Sequence, residues 1–533
     1  MKKILLASVA LTAAASLWGQ SAVDAYELSQ TQSRGTARFM SMGGAFTALG
    51  GDLSVLGQNP AGIGVYRRSE IGATLDISPS KFTSDGGVKQ SMNKTTVACN
   101  NFGYIGTIRL DGALRTFNWG VSYARVASFD RQYNIYNPTI PNSLSNYVAA
   151  YTTNNQVDPN DLNPTKDYDP YRNPDMDWLS ILSYTSSMMA YNPATRSYVG
   201  LFQNGSNGDA ITEIREKGYV DEYNIDFGGN ISDIVYWGIG FGIYDLDYRR
   251  NGLYSESIAG ARVDPYNDGD LVNGKANFDL RNWQHINGSG WNMKVGLIVK
   301  PVNELRIGLA VHTPTWYSLS QSAYANTSFA YAETNADGTD EAPYEGGKET
   351  DDSYYDFRLH SPWKLMVGAA GVIGKQAIIS LDYERQAFGD MKIKYQTDYG
   401  DYEDAVYTND DIKNYYKATD IIRLGAEYRL TPQLSLRAGY SYATTNVKSE
   451  AADGRTEIYT AGTNPAYTMD KDQYSISCGL GYRISSFSID AAYVYRHKES
   501  TFHAFTPYDG IASPSAKLTQ ATNSIVISAA YRF

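Results

Sequence analysis

Only two cysteines, Cys99 and Cys478, occur in 533 residues. That excludes a disulfide framework and a cysteine metal cluster, and spacing alone does not pair the two. Histidine is nearly as scarce: His285, His312, His360, His497 and His503 lie far apart along the chain. No Ser, His and acid set stands out that could be placed together, so nothing supports a hydrolase, and no nucleotide-binding motif is present. Beyond the first 21 residues no window approaches 18 uninterrupted apolar residues, which removes helical membrane spans but leaves a spanning sheet open. Charged residues amount to 19%, and the formal net charge of -11 disfavours nucleic acid as a partner.

What is abundant is glycine (48) and tyrosine (44), a composition that fits an all-β chain with many turns. The start, "MKKILLASVALTAAASLWGQSA", places Lys2 and Lys3 before an apolar run from Ile4 to Trp18 and small residues at Gly19 and Ser21. This predicts a secretory signal over 1–21, cleaved between Gly19 and Ala22, with no cysteine there to carry a lipid anchor. Between Glu333 and Asp356 nine carboxylates face a single Lys348; a solvated loop and a divalent-cation site both remain open.

From Glu70 onward, segments of about ten residues alternate apolar and polar with period two. In "ATNSIVISAAYRF" Ile525, Ile527, Ala529, Tyr531 and Phe533 share one face, with Ser524, Ser528 and Arg532 on the other. Fourteen such strands are predicted, near 69–79, 101–110, 115–129, 217–230, 234–248, 289–300, 304–318, 362–373, 376–387, 420–430, 433–446, 472–484, 486–498 and 521–533. Connections alternate between tight turns, such as Thr431-Pro432, and much longer loops. A soluble sandwich would also alternate, with Lys294, Arg306, Lys364, Glu384 and Arg423 on its exposed face. The even count, one-sided loops, tyrosines at strand ends and secretory start instead predict an all-β, 14-stranded antiparallel transmembrane β-barrel with a polar interior. Both termini then lie on the short-turn side, the periplasmic one. The final Phe533, after Tyr531, resembles the end by which outer-membrane barrels engage their assembly machinery.

One stretch matches no strand: "GGAFTALGGDLSVLGQNPAGIG", from Gly43 to Gly64. It resembles the N-terminal signature of the FadL family of outer-membrane transporters for long-chain fatty acids and other hydrophobic compounds, TodX-type aromatic hydrocarbon channels included. The matching residues include Gly44, Phe46 and Asp52, then Asn59, Pro60 and Ala61; "LRIGLAVHTPTWY" from Leu305 resembles a family strand. The resemblance implies that residues 22–68 form a plug, or hatch, inside a barrel of residues 69–533. It also implies a monomer in outer-membrane lipid and lipopolysaccharide that takes up hydrophobic small molecules or lipids passively. In such a family ligand is captured by outer loops and released sideways through a break near the third strand, where Gly120 lacks a side chain.

The residues permit these roles. Asp52 can cap a short helical turn over 53–56, Pro60 pushes Asn59 out of the helical region, and Gly238, Gly240 and Gly242 leave room for a plug. In the longest loop, 130–216, Leu144, Tyr147 and Val148 fall at helical spacing after Asn142 or Ser143, and Trp178, Leu179 and Leu182 form a second group. These helices suit an outer capture groove or a lid folded on itself.

No cofactor and no metal site is expected. His312 reads as a lumen-lining residue, and the scattered histidines give a hemin receptor little support. A general porin is weakened by the plug. A structural or adhesive barrel is distinguished by its interior: an apolar pocket between the outer loops and the plug favours transport, and a barrel filled by polar contacts favours a structural role.

Overall fold

The computed structural model describes residues 20–533 except 174, 265–269, 375, 398 and 399. Most of the expected signal segment, and Lys375 of a predicted turn, lie outside the described residues. The wall consists of β1 (Glu70–Asp85), β2 (Lys89–Arg109), β3 (Leu114–Ser128), β4 (Asn207–Ile231), β5 (Val235–Val263), β6 (Val272–Val302) and β7 (Leu305–His312), followed by β8 (Lys364–Ile373), β9 (Ala377–Gln386), β10 (Thr419–Arg429), β11 (Leu434–Ala443), β12 (Tyr467–Ile484), β13 (Phe487–His503) and β14 (Ser515–Arg532). Each strand pairs antiparallel with the next, and β14 returns to β1 with Glu70 opposite Arg532 and Leu75 opposite Ile527. The chain therefore forms the closed fourteen-stranded barrel that the alternation predicts. Closure removes the free edges that an open sheet would present to lipid.

The period-two pattern sorts the faces as expected. Val295, Leu309, Leu365, Leu381, Leu424 and Ile525 point outward and are exposed, as an apolar band suited to hydrocarbon requires. Tyr428, Tyr482, Phe487 and Tyr531 end this band toward the tight turns, and Trp291, Trp363 and Tyr383 toward the long loops. Lys294, Glu384 and Arg423 are buried on the inner face, which excludes the soluble sandwich. Both the first strand's start and the last strand's end lie at the short-turn rim, where the Phe533 amide donates to the Ser69 carbonyl at 3.0 Å.

Several strands extend beyond their predicted ends. β4, β5 and β6 rise well above the apolar band, and their upper halves carry the loop domain. The predicted strand 304–318 is interrupted: β7 stops at His312, and a new strand, Trp316–Glu333, continues along β6. Pro314 sits in the interruption and has no N–H to give to a ladder. The acidic segment belongs largely to an exposed hairpin in which Tyr344–Glu349 pairs with this new strand, and Asp340 is tied to Lys275 at 2.5 Å. Both cysteines are free.

The bore is filled by residues 20–68. They form α1 (Ala22–Ser29), α2 (Ala37–Ser41), α3 (Val55–Gln58) and a 3-10 turn, Pro60–Val65. Ser21 and Asp24 close a capping box on α1: the Asp24 amide donates to the Ser21 hydroxyl at 3.2 Å, and the Ser21 amide donates to the Asp24 carboxylate at 3.1 Å. α1 lies toward the long loops, where Tyr26 stacks on Tyr416 at 4.9 Å and donates to Asp470 at 2.6 Å. α2 packs on β12 and β13, and the 3-10 turn packs on β4, β5 and β6.

Candidate functional site

The signature residues build the turns of the plug. Gly44 has φ of +77°, and a Cβ there would lie 2.6 Å from the Ser33 hydroxyl, so both the backbone angle and the close approach call for glycine. Phe46 is fully buried against Phe39, with ring centroids 5.4 Å apart. Asp52 accepts from the Thr36 hydroxyl at 2.8 Å and the Ser54 amide at 2.9 Å, tying two plug turns together. The helix that follows is Val55–Gln58, two residues later than expected, because Asp52 and Ser54 are used in the turn before it. Asn59 has an extended backbone; its side-chain Oδ1 accepts from the Ala61 amide at 3.0 Å and its side-chain Nδ2 donates to the Thr47 carbonyl at 2.6 Å. Pro60 then opens the 3-10 turn, where its missing N–H costs nothing. Ala61 is buried beside it.

The wall accommodates this plug by omitting side chains. A Cβ on Gly238 would lie 2.3 Å from the Pro60 carbonyl, one on Gly308 2.1 Å from the Thr47 carbonyl, and one on Gly439 2.1 Å from the Gly43 amide nitrogen. Gly240 and Gly242 do not share this role, contrary to expectation: they make room for the Asp226 side chain and for those of Asn292 and Glu222. The alternation puts all three on the inner face, but only Gly238 stands at the level of the plug backbone.

Polar contacts complete the seat. The Lys294 ammonium pairs with Glu222, donates to Asn224 at 2.5 Å and reaches the Leu56 carbonyl at 3.5 Å, all of it buried. Asp226 lies close by, with no hydrogen-bond partner at either carboxylate oxygen among the described residues. On the opposite wall Arg38 of α2 pairs with Glu427 at 3.0 Å, and Arg437 bridges Glu427 at 2.6 Å and Asp490 at 2.5 Å. The Thr47 amide donates to Asp382 at 2.7 Å. His312 lines the lumen as expected, with Nε2 2.7 Å from the Gln58 carbonyl.

Between the plug and the third strand lies a cavity of about 270 Å³. Its wall includes Phe39 and Leu53 of the plug, Ala124, Val126 and Phe129 of the β3 side, and Met366 and Ile421 opposite. The rest is mostly polar, with Arg34, Lys364, Glu384, Arg423 and Arg496 among the lining residues. The charges were legible as an inner face, but their convergence was not, since they come from separate strands.

The same cavity meets an irregular part of the wall. β2 and β3 pair from Arg109 opposite Thr116 to Asn101 opposite Ala124, and no further. Beyond Asn101, β2 keeps its ladder to β1 only. β2 has an irregularity at Asn100, where Thr74 pairs with Asn101 and Leu75 with Cys99. β3 has one at Val126, between the pairs Arg125–Asp221 and Ala127–Val220. Farther out, Lys94 and Asp130 bridge the seam at 2.7 Å. The interval between is a window in which β2 and β3 do not pair with each other, lined by Thr96, Asn101 and Val126 of the cavity wall; the Val126 carbonyl there accepts from the Gln32 amide of the plug at 2.7 Å. Gly120 is not in it: Gly120 pairs with Ile105 and Asp226 on either side and seats Leu56 and Ile63 of the plug. The irregularity of the third strand at Val126 thus lies six residues beyond the glycine that suggested it.

The loop residues named from helical spacing do converge. Leu144, Tyr147 and Val148 lie on α4 (Leu144–Asn154), capped by Ser143, and Trp178, Leu179 and Leu182 on α5 (Trp178–Thr185), capped by Asp177. Leu144, Val148, Leu179 and Leu182 are buried in one cluster with Phe278, Phe329 and Phe502, and Tyr147 and Trp178 pack against it. Tyr147 also stacks on Phe505 at 5.5 Å. Their apolar faces close on one another and on the upper strands as a cap.

A family model described as outer membrane protein transport protein (OMPP1/FadL/TodX) matches residues 237–533. No curated protein matches the sequence. Among solved structures, a FadL homologue of Pseudomonas aeruginosa is 14% identical with a TM-score of 0.52, covering 94% of this chain and 99% of its own. The toluene transporter TodX of P. putida is 14% identical with a TM-score of 0.51, covering 93% of this chain and 98% of its own. At that identity the likeness speaks for the fold. The chain belongs to the OMPP1/FadL/TodX family of outer-membrane transport proteins.

Proposed function

We propose that this protein is a passive uptake channel for hydrophobic molecules such as long-chain fatty acids, which leave the barrel sideways through the β2/β3 window. The observation that carries the reading is the coincidence of window and cavity: the interval in which β2 and β3 do not pair lies where the plug leaves space. A route past the plug is disfavoured for apolar solutes, because the space behind it is lined by arginines. A route into lipid exposes such a solute to no aqueous mouth. The solved relatives include a toluene transporter and a FadL homologue, which supports the substrate class. In this reading the short-turn rim with both termini faces the periplasm, the chain works as a monomer, and Phe533 is the assembly end.

The polar lining of the cavity favours a second reading, a structural barrel with no ligand pathway. Uptake by cells that depend on this protein separates the two. A labelled long-chain fatty acid and toluene should enter, and Ala124→Arg at the window should reduce entry at least about tenfold while the barrel still shows its heat-dependent gel shift. No entry of either compound selects the structural reading. Entry of small sugars without preference for apolar solutes selects a porin.

A further inference from the structure

The short-turn mouth of the bore holds a second chamber, of about 630 Å³, between the plug and the ends of the strands and open at the rim, where Arg68, Arg109, Arg429 and Arg483 are exposed. Six arginines project into it from the wall: Arg109, Arg306, Arg429, Arg437, Arg483 and Arg532. The plug segment adds Arg38, Arg67 and Arg68. Against these nine stand four carboxylates, Asp52, Glu70, Glu427 and Asp490, and no lysine lines the chamber. The concentration is notable in a chain whose acids outnumber its bases, 57 to 46.

Part of this charge anchors the structure. Arg38 and Arg437 share Glu427, Arg437 also takes Asp490, Arg532 pairs with Glu70, and Arg67 pairs with Asp233 at 3.1 Å. The other five, Arg68, Arg109, Arg306, Arg429 and Arg483, have no carboxylate within salt-bridge reach among the described residues. Among the described residues Arg306 and Arg109 donate to the backbone carbonyls of Leu49 and Arg67, and the buried Nε of Arg306 has no partner. Unneutralised guanidinium groups around one small space repel each other, and an anion among them removes that cost. Arginine offers a planar fork that matches two oxygens at once, which a lysine does not.

We propose that this mouth is a binding chamber for a multiply charged oxyanion of phosphate chemistry, distinct from the hydrophobic pathway above it. The phosphate can belong to a free anion or to a lipid headgroup reaching in at the rim.

The test uses the full chain purified in detergent and titrated with inorganic pyrophosphate in a calorimeter. Saturable one-to-one binding is expected, weakening as salt rises. Arg429→Gln with Arg483→Gln should lower the affinity at least about tenfold. Lys517→Gln, at the long-loop end, should leave it unchanged. Arg429→Lys with Arg483→Lys keeps the charge and loses the fork; a partial loss of roughly threefold is expected, and this pair carries the test if the glutamine pair fails to fold by its gel shift. Nanodiscs of phosphatidylcholine with and without phosphatidylglycerol separate the sources: competition by phosphatidylglycerol identifies a headgroup site, and equal affinity in both identifies a free anion. Absence of saturable binding in detergent, or wild-type affinity in both arginine pairs, overturns the proposal.

Discussion

The plug and the cap fill the two ends of one bore by different chemistry. The plug folds around its own apolar centre, in which Phe39, Phe46, Leu53, Val55, Leu56 and Ile63 supply most of the bulk and the wall adds little beyond Ile105, Val494 and Val526. From α2 onward it meets the wall through backbone laid on glycine and through ion pairs, whereas α1 shares an apolar cluster with Leu246, Ile286, Phe357 and Tyr416. In the cap, Leu144, Val148, Leu179 and Leu182 share one centre with Tyr254, Phe278, Leu280, Phe329 and Phe502 of the strands themselves. The cap cannot leave without opening an apolar core that is also the wall's. From α2 onward the plug can shift with its core intact, at the expense of polar contacts that water can replace. The moving part of any transport cycle is therefore to be sought at the short-turn half.

The comparison breaks most sharply at Lys294. Lys294→Met leaves Glu222 buried and unpaired and removes the tie to the Leu56 carbonyl. A destabilisation of about 3–5 kcal/mol is expected from an uncompensated buried charge, read as a lowered midpoint of the heat-dependent gel shift. Adding Glu222→Gln should recover much of it. If the single change has no effect, the polar contacts do not hold the plug.

Gly308→Val comes next. Its side chain would strike the Thr47 backbone, which cannot swing aside, so overpacking of about 3 kcal/mol is expected. An unseated plug should also let ions through, and conductance in planar bilayers checks this. Gly252, on the upper part of β5, has open space within 4 Å of where a Cβ would stand, so Gly252→Ala should change stability by less than about 0.5 kcal/mol.

Glycines of the wall also show what the sequence could and could not convey. Period-two alternation reports which face a residue takes, so the fourteen strands and the inward charges were legible. It is silent on height along the bore, so Gly238 at the plug and Gly240 beside Asp226 look alike. The same limit displaced the expected break in the wall. A residue without a side chain suggested Gly120, whereas the ladder ends where irregularities at Asn100 and Val126 throw two neighbouring strands out of step. Such irregularities leave the apolar alternation of each strand almost untouched. The upper parts of β5 and β6 were missed for a different reason: above the band the outward face no longer meets lipid, and the alternation loses its apolar half. The plug was expected from the resemblance of Gly44 to Ala61 to a family signature, outside the span matched by the family model; the turn chemistry of these residues allowed it without specifying it.

In the cap a smaller, local response is expected. Leu182→Ala empties a fully buried position and should cost at least about 2 kcal/mol. Faster protease nicking of loop 130–216 should report it, with no gain in ion conductance. If conductance rises too, cap and plug are one unit and the contrast between them fails.

The smallest effect tests the joint between the two regions. α6 (Val406–Tyr415), in the loop after β9, touches α1 of the plug. On it the Asp411 carboxyl is pushed up to about 6 by burial, with Asp410 and Glu457 adding to the shift and the Tyr415 hydroxyl opposing it. A carboxyl whose folded value lies above its unfolded one binds a proton more tightly when folded. Its contribution is therefore fully present below the ordinary aspartate range and is lost as pH rises through about 6. Because the group is partly exposed, the discounted size is about 1 kcal/mol. Asp411→Asn should thus slow hydrogen exchange across α6 at pH 7 and do nothing at pH 4. An equal effect at both pH values would mean that the helix responds to the lost charge's neighbours rather than to its titration, and that the joint is insensitive to acid.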